Sequence, residues 1–503
     1  MTLSRRFAVA AFFALISSAF AAGPLTVWIM PNGATPQQKL EQRLEAFTKK
    51  TGIKTQVQVL DWGEAWNRIS NVLATGEDAP DVLQLGTTWI PYFASKQQIK
   101  PLNPWLDKID SSRFVPTSWH TSHIESDTTI YSVPWFIDVR PLLGNKRILR
   151  ENGISSDNVS SYEGFVDAIK KINSRKEILE NGVKVRAYAF PGKSDWNIPH
   201  NFAPWIWSNG GDFIAKDKNG KWHANILSER TLFGIAKYLN FVLDSLVLSD
   251  VLQNNTAQIA QQFNAGELAF IVSTSEIVMQ VHFDGTKGGL SGAQIGSDSI
   301  VALPFPKGSA GSVSFIGGSN LAIPAGNKRP EAIKLLLFLT NDENLDAYTK
   351  QIGFLPASKK VLETWSTDEN YRVLVEALKT GKTYTAIPEW GDIEQSLVSM
   401  FSETWDHLEI PALYSEEKLY QIFSNYSAAI DKQLSYTATG TMTFAEFQSV
   451  WHKALGIKDE PEKEPDATDD KKAIVEENLR KAPWVFAVML FLGFLFSLKR
   501  KKK

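Results

Sequence analysis

The sequence predicts an α/β protein built on a parallel, helix-flanked sheet, with an export segment at one end and a membrane span at the other. Three observations carry this. Near the N-terminus, short β-rich runs alternate with amphipathic helical stretches. The chain has 503 residues, 43% apolar and 21% charged, an ordinary globular composition with room for two to four domains or one large bilobed unit plus appendages. Each end also carries its own apolar run.

Residues 1–22 place Arg5 and Arg6 before an apolar stretch from Phe7 to Ile16, then small residues ending Ala19-Phe20-Ala21. That order is a secretory signal peptide, so the body is expected outside the cytoplasm. The body, residues 23–457, opens with a strand at Leu25–Ile29. A helix over Gln37–Thr51 follows, with Leu40, Leu44 and Phe47 on one stripe. Lys54–Val59 alternates as a second strand, residues 64–75 form a helix, and Asp81–Leu85 is a third strand. The β-α-β-α-β order implies parallel pairing. Further strands are expected at Ala187–Phe190, Leu268–Ser273, Ile300–Leu303 and Asn320–Pro324, then a helix over Pro330–Leu339 and mostly helix from about 328 onward.

The C-terminus is unusual. Ala482–Leu498 is an uncharged, almost wholly apolar run followed at once by Lys499-Arg500-Lys501-Lys502-Lys503. At 1.5 Å per residue it would extend about 25 Å, at the short limit for a bilayer core. Trp484 lies at the position of an interfacial aromatic, and the basic cluster places the C-terminus in the cytoplasm. Between body and span, residues 458–481 are highly charged with no aromatic. They are expected to form an extended tether reaching roughly 25–30 Å. The expectation is a periplasmic head anchored to the inner membrane.

Charge and composition exclude several functions. The net charge of −2 balances 53 basic against 55 acidic residues. Arg5 and Arg6 supply +2, the basic end +5 and the tether −3, which leaves the body at −6. An acidic body argues against nucleic acid as a partner. With no cysteine, disulfides, thiolate metal sites and cysteine nucleophiles are excluded. Gly192-Lys193-Ser194 resembles the end of a P-loop, but Ala187 stands where its first glycine is needed. His120 and His123 fit no metal motif, and no G-x-S-x-G elbow is present. No enzyme, cofactor or metal is expected.

Six stretches, in order, carry a resemblance: PDVLQLGTTWIPYFASKQQIKPL (80–102), IYSVPWFIDVRPLLGNKRILRENGI (130–154), WIWSNGGDF (205–213), FNAGELAFIVS (263–273), GGSNLAIP (317–324) and AIKLLLFLTNDENLDAYTKQIGFLPASKKVL (332–362). Together they resemble the extracellular solute-binding proteins of carbohydrate ABC transporters, in the maltose/trehalose-binding branch. Leu142-Leu143-Gly144-Asn145-Lys146 stands where that family usually has L-Y-Y-N-K, and Ser161–Phe165 where it has T-W-x-E. The C-terminal span is not a usual family feature.

The resemblance implies a two-lobed, periplasmic-binding-protein-like fold with a hinge and an interlobe cleft. Lobe 1 would take about 23–134 and 270–317, and lobe 2 about 135–269 and 318–457, with crossings near 133–135, 263–266 and 317–318. It also implies a carbohydrate or polyol ligand, ABC permease subunits as partners and a monomeric head. A membrane-tethered sugar sensor working with a partner receptor or kinase is the alternative.

A sugar presents apolar C–H faces and a rim of hydroxyls, so its site needs aromatic faces and charged hydrogen-bonding groups. Trp89 follows the third strand where a cleft loop belongs. Trp135, Asp138 and Arg140 lie on the implied crossover, and Asp138 and Arg140 share strand parity; an ion pair across the hinge is their other reading. Trp205 and Trp207 offer a stacking platform. Glu276, after the returning strand, could cap hydroxyls or a helix. Gly317 and Gly318 allow close backbone approach. Trp390 falls where the family often places an aromatic of its C-terminal lobe. Trp62 and Trp66, four apart on a helix, read as core packing for at least one.

Overall fold

The computed structural model describes residues 23–33, 35–192, 195–280, 299–367, 369–438 and 440–457. The export segment, the tether, the span at Ala482–Leu498 and the basic tail therefore lie outside the described residues. Among those described, no helix is long and apolar enough to cross a membrane.

The first lobe grows from local sequence rules. Strands β1 (Leu25–Ile29), β2 (Thr55–Val59) and β3 (Val82–Gly86) are joined by helices Pro36–Thr51 and Trp62–Thr75, and β1 pairs parallel with both β2 and β3. The first helix begins with Pro36 and ends at Gly52, whose φ of 74° lets its N–H reach Thr48 O. Asp61 caps the second by accepting from Gly63 N–H at 2.8 Å. Period-2 alternation then sorts the strand residues. Leu25, Val27 and Ile29 face one core with Leu40, Leu44 and Phe47, whereas Trp28, Met30, Leu83 and Leu85 face another with Ile69 and Val72.

Three later strands complete this sheet. Ser132–Arg140 (β4), Phe315–Ala322 (β11) and Leu355–Pro356 (β12) give the order β12-β4-β11-β3-β1-β2, with β11 antiparallel to β3 and β4. The second lobe holds a separate sheet in the order β10-β5-β9-β6, made by Leu142–Asn145 (β5), Arg186–Tyr188 (β6), Leu268–Val272 (β9) and Ile300–Leu303 (β10). A hairpin, Ile214–Lys216 (β7) with Trp222–Ala224 (β8), stands beside it. Helices Ile198–Ser208, Glu229–Leu243, Trp390–Leu408, Glu416–Gln433 and Phe444–Leu455 bury their apolar faces in the same core, through Phe202, Trp205, Tyr238, Phe401, Trp405 and Trp451 among others.

The structure corrects the lobe assignment: residues 135–140, expected in lobe 2, lie in β4 of the first sheet, and Phe270–Val272 and Ile300–Leu303, expected in lobe 1, lie in β9 and β10 of the second. The chain does not leave the first lobe at Gly317–Gly318. Strand β11 runs through the middle of the first sheet, and helices Glu331–Leu339 and Asp342–Ile352 cover that sheet through Leu335, Leu336, Leu345 and Tyr348. Residues 318 to about 380 therefore belong to lobe 1, and the chain re-enters lobe 2 near Tyr384 and Trp390. The glycines have a packing reason. A Cβ on Gly318, at φ 135°, would lie 2.3 Å from Phe136 O, and one on Gly317 2.6 Å from the Phe315 ring. Glycine keeps β11 tight against β4.

Candidate functional site

Between the lobes, strand ends and helix starts converge. From the first lobe come the carboxyl ends of β1 and β3, where open α/β sheets place ligands. A buried amide network holds this floor. Gln84 accepts from Met30 N–H at 3.1 Å and from Asn32 Nδ2 at 2.9 Å, and donates to Ser319 Oγ at 2.7 Å. Asn32 also donates to Tyr348 OH at 3.1 Å. This ties β1, β3, β11 and the helix Asp342–Ile352 together just below the cleft.

Asp138 and Arg140 lie at the last turn of β4, and Pro141 passes the chain to β5 in the other lobe. Both are buried and joined by Arg140 Nε to Asp138 Oδ2 at 3.1 Å. Arg140 also donates to Asn197 Oδ1, from the second lobe, and its guanidinium lies 5.1 Å over the Phe315 ring. Glu276 begins a short helix after β9, and its Oε2 accepts from Gly33 N–H at 3.2 Å. The ion pair that the sequence left as an alternative is present, and it is part of a larger charged cluster.

Two groups that the sequence reading missed complete that cluster. Glu394 Oε2 accepts from Thr88 Oγ1 at 3.0 Å, a bond from lobe 2 to lobe 1. His200 Nε2 stands 3.6 Å from Glu394 Oε1, while its Nδ1 meets Tyr384 OH at 2.8 Å. The signal for Glu394 was available, because it lies one helical turn beyond Trp390. His200, Tyr384 and Asn197 carried none.

Burial dominates the electrostatics. It pushes Glu276 up to about 7, helped by the negative charge of Asp138 and opposed by the Gly33 N–H, Thr274 and Arg140. Glu394 is likewise pushed up to about 7 by burial, against the Thr88 hydroxyl and Arg140. Asp138 is raised by burial despite Arg140. His200 is driven well below its ordinary value by burial and by Arg140, so it is neutral. Among the described residues, Asp138 Oδ1 and Trp390 Nε1 are buried here with no hydrogen-bond partner.

The aromatic wall is sorted by the fold. Trp89 packs edge-on against Trp62 at 5.6 Å and Trp66 at 5.4 Å. Trp62 in turn stacks at 5.7 Å on Trp196, which projects from lobe 2 and is 41% exposed. Trp66 fills the space above Gly391, where a Cβ would come within 2.6 Å of its ring. Trp390 and Trp207 are buried in the second lobe's core: Trp390 stacks on Tyr384 at 4.5 Å, and Trp207 lies beside the same tyrosine at 5.4 Å with its Nε1 on Asp212 at 3.0 Å.

Two other tryptophans turn away. Trp135 is fully buried and stacked on Tyr348 at 4.7 Å in the first lobe's core. Trp205 sits inside the second lobe among Tyr162, Tyr238, Phe241 and Phe305. Being two positions apart on one helix sends Trp205 and Trp207 in different directions. A separate cavity of about 250 Å³, bordered by Asn173, Arg186, Tyr188, Leu246 and Leu268, lies in the second lobe, and none of the cluster groups lines it.

A two-lobed α/β body with charged and aromatic groups converging between its lobes is the architecture of a solute trap. The profile of the bacterial extracellular solute-binding proteins matches residues 42–373, more than half of the chain. The chain belongs to this family. This solute-binding protein is 24% identical over 380 residues to the diacetylchitobiose binding protein DasA of Streptomyces coelicolor, covering 75% of this chain and 83% of that one. A shorter similarity, 23% over 213 residues, joins it to the erythritol/L-threitol-binding protein of Mycolicibacterium smegmatis, covering 39% of this chain and 44% of that one.

Among solved structures, the solute-binding protein of Thermotoga lettingae TMO bound with α-D-tagatose superposes with a TM-score of 0.69 at 18% identity, covering 82% of this chain and all of that one. Maltose-bound MalE3 of T. maritima gives 0.69 at 19%, with the same coverage. These likenesses establish the two-lobed fold.

Proposed function

We propose that the protein is the substrate-binding component of an ABC importer, capturing a carbohydrate or polyol between its lobes and delivering it to a membrane permease. The observation that carries this is the interlobe cluster itself. Asp138, Arg140, Glu276 and Glu394 offer charge-assisted hydrogen bonds to hydroxyls, and Trp62, Trp89 and Trp196 offer flat faces to sugar C–H surfaces. The names of the relatives support the class: one binds diacetylchitobiose, another erythritol or L-threitol.

Contacts between the lobes support such a closure. Thr88 to Glu394, Glu125 N–H to Ala386 O at 2.8 Å and Lys216 to Glu125 at 2.7 Å all join one lobe to the other. A ligand that adds contacts to both lobes shifts the open–closed balance by its differential affinity alone.

Titrating the full chain with mono- and oligosaccharides, polyols and non-sugar controls will give a saturable change in tryptophan fluorescence with one ligand class. The tryptophans of the interlobe wall report it. A flat response throughout, matched by no heat in calorimetry, would overturn the reading.

The charged segment 458–481 and the apolar run after it support a finer proposal, a head tethered to the inner membrane. Tethering replaces diffusion to the permease with an effective concentration near the millimolar range. Deleting residues 458–503 is expected to leave ligand affinity unchanged and to lower uptake when the binding protein is scarce. Unchanged uptake by the truncated protein would count against the tether.

A further inference from the structure

The charge balance of the cleft says more about the ligand than its being a sugar. Three carboxyl groups, Asp138, Glu276 and Glu394, surround one guanidinium. Two of the three nitrogens of Arg140 are engaged, Nε by Asp138 Oδ2 and Nη1 by Asn197 Oδ1. Lys39, whose charge also reaches Glu276, gives its ammonium to Gln351 O at 2.8 Å. Lys382, at the edge of the cluster, is paired with Asp212. His200 is neutral and Tyr384 stays protonated.

That leaves open acceptors. Asp138 Oδ1 is buried and has no hydrogen-bond partner among the described residues. Glu394 has a hydroxyl from Thr88 and a neutral imidazole 3.6 Å away, and no bonded cation among the described residues. A hydroxyl on a ligand would satisfy an acceptor without compensating a buried charge. An ammonium does both, bringing three donors and a full positive charge.

We propose that the ligand is an aminated sugar or aminated polyol whose ammonium is taken up by the acceptors of Asp138 and Glu394 that Arg140 leaves open. This rests on the carbohydrate reading above and narrows it. An ammonium in the cleft favours ionised carboxylates, so its binding expels the protons that burial holds on Glu276 and Glu394 near pH 7. Affinity for an alkyl ammonium, which stays protonated at pH 8, therefore rises from pH 5.5 to pH 8. Affinity for a neutral sugar carries no such obligatory proton release.

The test is calorimetry on the full chain with pairs differing only in the amine: glucamine against sorbitol, and the β-1,4-glucosamine disaccharide against cellobiose. The aminated member of at least one pair will bind about tenfold tighter or more at pH 8. The glucamine-to-sorbitol ratio will shrink toward pH 5.5, with proton release seen as a dependence on buffer ionisation heat. Glu394→Gln and, separately, Asp138→Asn will narrow the ratio. Should either variant fail to fold, the pH dependence of the unaltered protein decides. Equal or tighter binding of the neutral members at every pH overturns this inference and leaves the carbohydrate reading intact. Saturation by no member of either pair, with a neutral sugar outside the pairs binding, does the same. No binding by any sugar or polyol overturns both.

Discussion

Replacing Arg140 with methionine will destabilise the ligand-free protein by about 3–5 kcal/mol at pH 8, far beyond the effect of an ordinary surface charge. The side chain is almost fully buried, and its guanidinium is the partner of Asp138 and the cation felt by Glu276 and Glu394. Methionine keeps much of the contact with Phe315 but removes the compensation, so the carboxyl groups must take up protons or remain as unpaired buried charge. The loss will be smaller at pH 5.5, because protonated carboxyls no longer need the cation. Adding Asp138→Asn should recover much of the stability, since the two residues form one interacting unit. Urea unfolding at the two pH values checks this; a loss independent of pH would assign the role of Arg140 to packing.

The opposite sign is expected for Glu394→Gln. In the folded protein Glu394 titrates at about 7, above its ordinary value of 4.5. A carboxyl raised in this way binds its proton more tightly folded than unfolded, so its burden is absent below the ordinary value. It builds as pH rises through that interval and is complete above about 7, where it reaches up to roughly 3 kcal/mol. Glutamine never ionises and can still accept from the Thr88 hydroxyl. The variant should therefore melt higher than the parent at pH 8, melt much like it at pH 4.5, and bind ligand more weakly. The unaltered protein should itself lose stability between pH 4.5 and 7, with Glu276 contributing in the same direction. Equal melting temperatures for variant and parent at pH 8 would sink the argument. A binding protein that gains stability when its cleft loses a charge is one whose site is kept at a cost for function.

Much of this architecture is legible in the chain because its signals are local. The β-α-β-α-β opening, the stripe of Leu40, Leu44 and Phe47, and the strand Ile300–Leu303 all follow from periodicity over a few residues, and the structure has them. Strand edges drift where periodicity fades. Arg186–Tyr188 is shorter than the Ala187–Phe190 reading and starts earlier, and Phe315–Ala322 begins before Asn320. The family, too, was readable, because it rests on six stretches in order rather than on one motif.

Other features depend on partners that no local pattern specifies. Nothing in Phe315–Ala322 says that it will lie between β4 and β3, so its glycines read as a crossing when they serve close packing. Trp205 and Trp207 are chemically identical, and only the surfaces around their helix set one against Phe305 and the other against Tyr384. Glu394, Tyr384 and His200 come from separate elements and meet only after the lobes are packed.

The sequence by itself determined the elements of the body, its family, and an acidic, cysteine-free composition that points away from nucleic acid and thiol chemistry. Only the tertiary structure decided which lobe owns residues 318–380, which tryptophans are buried in a lobe's core, and that three carboxyl groups lie near one arginine. The physical reason is range. Propensity and periodicity act over a few residues, whereas burial, pairing and proton affinity depend on groups brought together across hundreds of residues of chain.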